Sequence, residues 1–300
     1  VRKNIYGIDI QPIATEISRL RCFLTLVVDE SIHENLENRG IEPLPNLDFK
    51  FVTANTLINL PGISNGNQAG LFEDSAGIEE LRELRDMFFN ASGVEREQLK
   101  LKFVQAQNRM FERLVKSNSS KIADLTTSLT TWDPFSHKAS SWFDSEWMFG
   151  IKDGFDIIIA NPPYINIFNI KDKNFRHWLA NNYYVAKNKT DIYAFFTEKS
   201  INLLKDKGKL AFIFSNSCSG TDSFSKFRKF LIDETKIEQL IRCPFGVFRE
   251  ATVTVVIMIL SKERVTNNHI KLFELRDGSF SDLGLKLEYD FIKKQVSHGF

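Results

Sequence analysis

Two hydrogen-bond acceptors and an aromatic ring follow one apolar run of the sequence, and together they could handle a nucleobase. Residues 155–160 are followed by Asn161, Pro162, Pro163 and Tyr164. An exocyclic amino group is a poor nucleophile because its lone pair is delocalised into the ring. Two acceptors that hold its hydrogens, here the Asn161 side-chain oxygen and the Pro162 carbonyl, would draw that lone pair out of the ring plane. Tyr164 then offers a face on which an extruded base can stack.

The run before Asn161 predicts where this group lies. A continuous apolar run is typical of a buried parallel strand, which Pro162 must end because it has no N–H for the ladder. Ligands of open α/β sheets bind at the carboxyl ends of strands, so Asn161 is expected at a ligand-binding edge. A strand that ends in a simple Pro-Pro turn is the alternative. The run before the motif and the tyrosine after it favour the functional interpretation.

The segment Asn161-Pro162-Pro163-Tyr164 resembles the catalytic motif of S-adenosylmethionine-dependent DNA methyltransferases that modify the adenine amino group. The resemblance extends over about residues 5–262, and it is greatest to the methylase part of single-chain, type IIG-like restriction and modification enzymes. It implies methylation of a flipped adenine in double-stranded DNA within a restriction-modification or phage-defence system. It also implies S-adenosylmethionine as the cofactor and a nuclease domain on the same full-length chain.

A second group of residues could hold that cofactor. Residues 4–10 predict a short strand that ends in an acid, and the helix expected from Pro12 has apolar residues at spacings of three and four. The resemblance assigns Asp9 to the cofactor ribose and Ile10 to packing against the cofactor adenine. It assigns Asn55, at the end of a strand predicted over residues 47–57, to the adenine amino group. Asp9 and Asn55 could instead be ordinary turn and capping residues.

The chain is expected to form a Rossmann-like α/β methyltransferase core, with a mixed, mostly parallel sheet and a helical insertion. Helical spacing among many charges predicts a helical hairpin over residues 75–116. Tryptophans between residues 132 and 147 are expected to pack over the strand before Asn161. The expected parts are a cofactor-side part of the core (1–74), the helical insertion (75–150), the catalytic part of the core (151–265), and an edge strand with the start of a target-recognition region (266–300).

Basic and aromatic residues follow Tyr164 and predict DNA contacts. The basic side chains outnumber the acids by four, and aromatic rings lie between them; the basic residues are Lys171, Lys173, Arg176, Lys187 and Lys189. Such a pattern suits phosphate contacts around a flipped nucleotide, with Lys187 and Lys189 placed with Pro163 as substrate-binding residues. A solvated helix and loop is the alternative.

The later elements are expected to complete the sheet. A helix from Asp191 is expected to stop at Gly208, and a strand over residues 209–215 follows. Strands over residues 236–241 and 252–260 are close in sequence, which predicts an antiparallel pair at one sheet edge. A further strand is predicted from His269.

Phe248 lies in the loop between the last two of these strands. The resemblance makes it the second aromatic residue, which covers the flipped base from the side opposite Tyr164; packing in the core is the alternative. Phe245, three residues earlier, is expected in the core.

Composition and missing motifs limit the other possibilities. The net charge of +1 does not by itself indicate nucleic-acid binding, and three cysteines without a C-x-x-C pair predict neither disulfides nor a metal site. With no signal sequence in view, a soluble cytoplasmic protein is expected. The resemblance also requires a glycine-rich loop after a first strand, and the chain has no G-x-G. We therefore expect an internal segment that lacks the first strand and, alone, binds cofactor weakly or not at all.

Two alternatives stay open at this point. The same motif occurs in methylases that modify RNA bases or the glutamine amides of proteins. A chain without the glycine loop could also be a non-catalytic DNA-binding scaffold of a defence complex.

Overall fold

A computed structural model describes most of the chain in two compact units, Val1–Lys152 and Asp153–Phe300. The described residues are 4–35, 37–40, 47–61, 75–89, 91–117, 120–136, 138–186, 189–247, 254–266, 268–276 and 278–288. None of the helices in these ranges is long and apolar enough to cross a membrane.

A parallel pair of short strands forms the sheet of the N-terminal unit. Strand β1 (Gly7–Asp9) pairs with β2 (Phe51–Thr53), so that Asp9 lies opposite Thr53. Helix α1 (Pro12–Val28) lies between them in sequence and begins with proline, whose fixed φ suits the first helical turn. Both predicted strands and the helix are confirmed, although the strands are shorter than expected.

The apolar stripe that predicts α1 lies on its exposed side. Its members are all at least 46% exposed: Ile13, Ile17, Leu20, Leu24 and Val28. The side toward β2 is partly polar, because the buried Thr15 shares a hydroxyl hydrogen bond of 2.8 Å with Thr53. Arg19 donates to the Phe51 carbonyl at 2.6 Å.

The predicted helical hairpin is confirmed. It consists of α2 (Ser75–Phe88) and α3 (Gly93–Ser117), and it is followed by α4 (Ser120–Thr131) and α5 (Ser145–Phe149).

Aromatic rings form the core of this unit. The buried Phe49 makes edge contacts with Phe88, Phe103 and Trp132, at centroid distances of 5.2, 6.0 and 5.9 Å. Trp142 contacts Trp132 at 5.9 Å. The described ring contacts of Trp132 and Trp142 thus lie within the N-terminal unit.

The C-terminal unit is built on a six-stranded mixed sheet with the order β3-β4-β6-β5-β7-β8. Its elements are β3 (Phe155–Ala160), α6 (Lys173–Asn182), α7 (Ile192–Leu203), β4 (Leu204–Ser215), α8 (Ser225–Glu234), β5 (Lys236–Arg242), β6 (Val255–Ser261), β7 (His269–Arg276) and β8 (Ser279–Glu288). The α/β class and its parallel strands joined through helices are confirmed. The described strand pairs divide evenly between parallel and antiparallel, rather than being mostly parallel.

Strand β3 is parallel to β4, as expected, but the prediction that it is buried is wrong. Within the described part of the chain β3 pairs only with β4, which leaves it at the edge of the sheet. Ile157 and Ile159 are consequently 62% and 76% exposed.

The later elements correct two further expectations. Strands β5 and β6 are antiparallel, as predicted, but they lie inside the sheet because β7 pairs with the other side of β5. Helix α7 ends at Leu203, and Gly208 lies within β4 instead of ending the helix. A Cβ atom at Gly208 would lie 2.9 Å from the Phe155 carbonyl oxygen, so the close approach of β3 requires glycine there.

Candidate active site

The Asn161 segment leaves the sheet at the carboxyl end of β3. Asn161 follows the last strand residue, and the pairing of Ala160 with Phe212 in β4 brings this end beside Ile213. The Tyr164 hydroxyl lies 2.9 Å from the Asn161 Oδ1 atom and 3.0 Å from the Ile213 carbonyl oxygen. Because a hydroxyl has one hydrogen, it can donate to only one of these acceptors at a time.

Two acceptors on consecutive residues keep lone pairs that no described residue occupies. Asn161 is exposed, and its Oδ1 atom has a second lone pair beyond the one that faces Tyr164. No hydrogen bond among the described residues ends on the Pro162 carbonyl. Pro162 is itself buried, which fixes the backbone between the two acceptors.

The loop after Tyr164 is tied to the start of α7. The Ile192 N–H donates to the Ile165 carbonyl at 2.8 Å, and the Ile167 N–H donates to the Thr190 carbonyl at 3.1 Å. The Asn166 side chain donates to Asp191 Oδ1 at 3.0 Å. Partial burial raises the pKa of Asp191, and this hydrogen bond opposes the rise. The loop therefore has a defined conformation relative to α7.

Packed aromatic residues support the Tyr164 ring. Tyr193 meets it edge to face at 6.3 Å, and Tyr193 is itself stacked between Phe214 and Phe224 at 5.0 and 5.3 Å. Burial raises the pKa of Tyr164 to about 12, and the nearby Cys243 thiol adds to the rise. The hydroxyl consequently stays protonated near neutral pH and acts as a donor.

The buried cysteines of the C-terminal unit are unsuited to nucleophilic chemistry. Burial raises the pKa of Cys218 to about 12, and it also raises the pKa of Cys243. Since the thiolate is the nucleophile, neither thiol is activated.

In the N-terminal unit, Asp9 and Asn55 lie at the same edge of their sheet. The Ala54 N–H donates to the Asp9 carbonyl at 2.9 Å, which holds the two strand ends together. Asp9 is exposed; its Oδ1 atom accepts from the Gln11 N–H at 2.8 Å, and its Oδ2 atom makes no hydrogen bond with any described residue. Ile10, beside it, is 56% exposed. A free carboxylate oxygen next to an exposed apolar side chain fits the ribose and adenine of a nucleoside.

Asn55 also has the capping role that the sequence left open. Its Oδ1 atom accepts from the Leu57 N–H at 3.2 Å, and one lone pair of that oxygen remains for a ligand. Sequence reasoning missed Ser140, whose carbonyl accepts from the Asn55 N–H at 2.9 Å and whose N–H donates to Thr53. A single serine 85 positions further on carries no local signal for this contact.

The predicted DNA-contact residues differ in exposure, and one of them is not described by the structure. Lys189 is exposed, whereas Lys187 lies outside the described residues. Pro163 is exposed beside Pro162. Tyr183, one of the aromatic residues in the basic stretch, is buried against Phe195 at 5.5 Å and belongs to the core.

The second aromatic residue of the proposed base pocket is not placed by the structure. Phe248 lies outside the described residues. The expectation that Phe245 is in the core is wrong, because Phe245 is 72% exposed. It lies in a turn with Gly246, whose φ of 86° is in the left-handed region.

Comparisons with known proteins give one family. Residues 3–248 match the model of the Eco57I restriction-modification methylase family. A putative type II restriction enzyme and methyltransferase from Methanocaldococcus jannaschii is 26% identical over 320 residues, which cover 88% of this chain. A type II restriction enzyme and methyltransferase from Escherichia coli is 30% identical over 128 residues, or 41% of this chain. The chain spans only 26% and 12% of the lengths of these two relatives.

Solved structures of restriction-modification enzymes are similar to this chain at low sequence identity. The type IIL enzyme MmeI in complex with DNA has a TM-score of 0.44 and 13% identity, with 96% of this chain and 34% of that chain covered. The type IIG endonuclease BpuSI has a TM-score of 0.41 and 12% identity, with 79% and 33% covered. The family model alone matches well over half of the chain, and on that ground the chain belongs to the Eco57I restriction-modification methylase family.

Proposed function

We propose that the full-length protein methylates the exocyclic amino group of adenine in DNA, as the modifying activity of a restriction-modification system. The observation that carries the proposal is the pair of consecutive acceptors, Asn161 Oδ1 and the Pro162 carbonyl, at the carboxyl end of β3. They occur in a chain of a methylase family, and an amino group with two hydrogens suits two acceptors.

In the proposed reaction, the target adenine leaves the DNA helix and its amino group lies between these acceptors. Asn161 Oδ1 and the Pro162 carbonyl each accept a hydrogen bond from one N–H, which favours a pyramidal nitrogen whose lone pair is localised on that atom instead of delocalised into the ring. The Tyr164 hydroxyl can then donate to the Ile213 carbonyl at 3.0 Å. The amine is itself the nucleophile: its nitrogen forms the new N–C bond as the S–C bond of the methyl donor breaks, and it then releases one N–H proton to water. The protonated thiols of Cys218 and Cys243 take no part.

S-adenosylmethionine, when bound, supplies an electrophilic methyl group to this amine. Asp9 would accept hydrogen bonds from its ribose hydroxyls, Ile10 would pack against its adenine, and Asn55 would accept from the adenine amino group. The free Oδ2 atom of Asp9 and the exposure of Ile10 support this assignment.

Double-stranded DNA is the proposed partner, and a nuclease domain on the same chain is proposed with it. The Methanocaldococcus jannaschii relative is named as both a restriction enzyme and a methyltransferase. Lys189, and Lys187 with it, are proposed to contact phosphates, while Pro163 and Phe248 are proposed to border the base.

Replacement of Asn161 by alanine in the full-length protein tests the proposal. Loss of one acceptor that is preorganised for the transition state should reduce turnover about a hundredfold or more. The matched control is Asn108→Ala, which removes the same side chain from an exposed position on α3. Tritiated methyl transfer to duplex DNA measures both variants, and near-normal transfer by Asn161→Ala would contradict the mechanism.

Methylation mapping identifies the modified molecule. DNA from cells that express the full-length protein should contain methylated adenine amino groups at one recognition sequence. Methyl groups found only in RNA or in protein would favour the alternative substrates, and their complete absence would favour a non-catalytic scaffold.

A further inference from the structure

An exposed phenylalanine lies on the loop that follows the Asn161 segment. Phe168, four residues after Tyr164, is 58% exposed on a short 3-10 turn, Ile167–Asn169. The neighbouring Ile167 is only 8% exposed and anchors the turn in the unit. The Phe168 side chain therefore faces solvent, while the buried Ile167 side chain next to it holds the backbone of the turn in place.

Hydrogen bonds on both sides hold this turn. The Phe168 N–H donates to Asn166 Oδ1 at 3.1 Å, and Arg176 donates to the Phe168 carbonyl at 3.5 Å. The Asn166 side chain also donates to the Lys189 carbonyl and to Asp191. An exposed aromatic ring on an anchored turn loses little conformational entropy when it enters another molecule.

The charges around Phe168 fit a polyanion. Three exposed lysines belong to this segment. Lys171 and Lys173 follow the turn in sequence, and the Lys189 carbonyl accepts a hydrogen bond from the Asn166 side chain. Of the acids in this segment, Asp172 accepts from the Asn174 and Phe175 N–H groups at the start of α6, and Asp191 is half-buried against Asn166. Asp172 is also exposed, but three exposed lysines against one exposed acid leave this surface positive, and a nucleic-acid backbone is its complement.

We infer that Phe168 enters the DNA helix as the target adenine leaves it, and stacks on the bases that border the vacated position. This inference rests on the proposed function. Apolar side chains that insert between base steps are an established means of opening a duplex, and phenylalanine is among them. Tyr164 is unsuited to this task, because its hydroxyl holds it at Asn161 and Ile213.

The test compares two duplexes that differ only opposite the target adenine. One carries the normal thymine and the other a mismatched base, which lowers the energy needed to extrude the adenine. Phe168→Ala in the full-length protein should lower kcat/KM on the paired duplex about fivefold to 150-fold, as expected for the loss of one base-stacking contact. On the mismatched duplex most of this loss should disappear, and Phe168→Trp should retain activity on both.

The controls separate this inference from the proposed function. Phe111→Ala removes a 45% exposed phenylalanine from α3 and should leave both substrates unaffected. A 2-aminopurine at the target position of the paired duplex should brighten with the wild-type protein and brighten less with Phe168→Ala. If the wild-type protein neither methylates the adenine-containing duplex nor brightens the 2-aminopurine duplex, the proposed function fails.

Three results would overturn the inference alone while the wild-type protein remains active. Phe168→Ala could act like the wild-type protein on the paired duplex, or lose equal activity on both duplexes. It could also lower the melting temperature of the protein without DNA by several degrees, which would show that Phe168 packs against another part of the full-length chain.

Discussion

Removal of the Tyr164 hydroxyl tests how the candidate site is held together. Tyr164→Phe keeps the ring and deletes one group, which has acceptors at 2.9 Å on Asn161 and 3.0 Å on Ile213. Both acceptors are uncharged, and one neutral hydrogen bond contributes about 0.5 to 1.5 kcal/mol. If the bond positions Asn161 for the amine, the rate of methyl transfer should fall about twofold to tenfold.

Tyr164→Ala gives the comparison that separates the hydroxyl from the ring. It also removes the stacking surface, worth about 1 to 3 kcal/mol, and should slow the reaction by a further five- to 150-fold or so. Single-turnover transfer of a tritiated methyl group to duplex DNA by the full-length protein measures both variants. Phe111→Ala, at a 45% exposed phenylalanine of α3 outside the proposed DNA-contact stretch, is the control and should act like the wild-type protein.

The pH dependence adds an independent check on the same residue. Because the pKa of Tyr164 is raised to about 12, the hydroxyl keeps its proton, and wild-type and Tyr164→Phe rates should depend on pH alike between about pH 6 and pH 10. A step in the wild-type profile that Tyr164→Phe lacks would show that the phenol ionises during the reaction. A wild-type rate for Tyr164→Phe would refute the anchoring role of the hydroxyl, whereas equal, lowered rates for Tyr164→Phe and Tyr164→Ala would refute the stacking role of the ring.

Two other predictions concern the N-terminal unit. Asp9→Ala in the full-length protein should weaken S-adenosylmethionine binding measured by calorimetry, by about 1 to 3 kcal/mol for one charge-assisted interaction; unchanged affinity would remove Asp9 from the cofactor site. Burial lowers the pKa of Lys50 from 10.5 to about 8. Between about pH 8 and pH 10.5 the unfolded chain therefore binds more protons than the folded chain. The free energy of unfolding should consequently rise with pH in this range, by at most about 3 kcal/mol. Lys50→Met should abolish that rise in urea denaturation between about pH 8 and pH 10, and identical profiles would refute the assignment.

The parts of the fold that sequence predicts well are those with local causes. Strand β3 ends just before Asn161 because Pro162 cannot donate to the ladder, and this follows from two adjacent residues. Helix α1 and the α2–α3 hairpin follow from the spacing of apolar residues within each segment. Their positions are accordingly close to those predicted.

The expectations that fail depend on distant parts of the chain. The apolar residues of β3 indicate a strand, but only its pairing on one side or on both determines whether Ile157 and Ile159 are buried. Strands β5 and β6 lie inside the sheet because β7, from later in the sequence, continues it beside β5. Phe245 is the exception, because it lies in a turn with its neighbour Gly246 and is exposed there.

The same distinction applies within the candidate site. Asn161, Pro162 and Tyr164 are adjacent in sequence and could be assigned chemistry from residue types alone. The partner that holds Tyr164 is a main-chain carbonyl, at Ile213, and any residue type could supply it. Only the parallel register of β3 and β4, with Ala160 opposite Phe212, brings that carbonyl within 3.0 Å of the hydroxyl.

The Ile213 carbonyl lets the Tyr164 hydroxyl keep a hydrogen bond when the amine of the proposed reaction binds Asn161. Before an amine arrives, the Tyr164 hydroxyl can donate to Asn161 Oδ1 at 2.9 Å, so the acceptor that the reaction needs is already paired. When the amine takes that oxygen, the hydroxyl turns to Ile213 at nearly the same distance. The hydroxyl thereby keeps one neutral hydrogen bond throughout, worth about 0.5 to 1.5 kcal/mol. The β3–β4 pairing therefore contributes to the proposed chemistry by providing the second acceptor, in addition to placing Asn161 at the edge of the sheet.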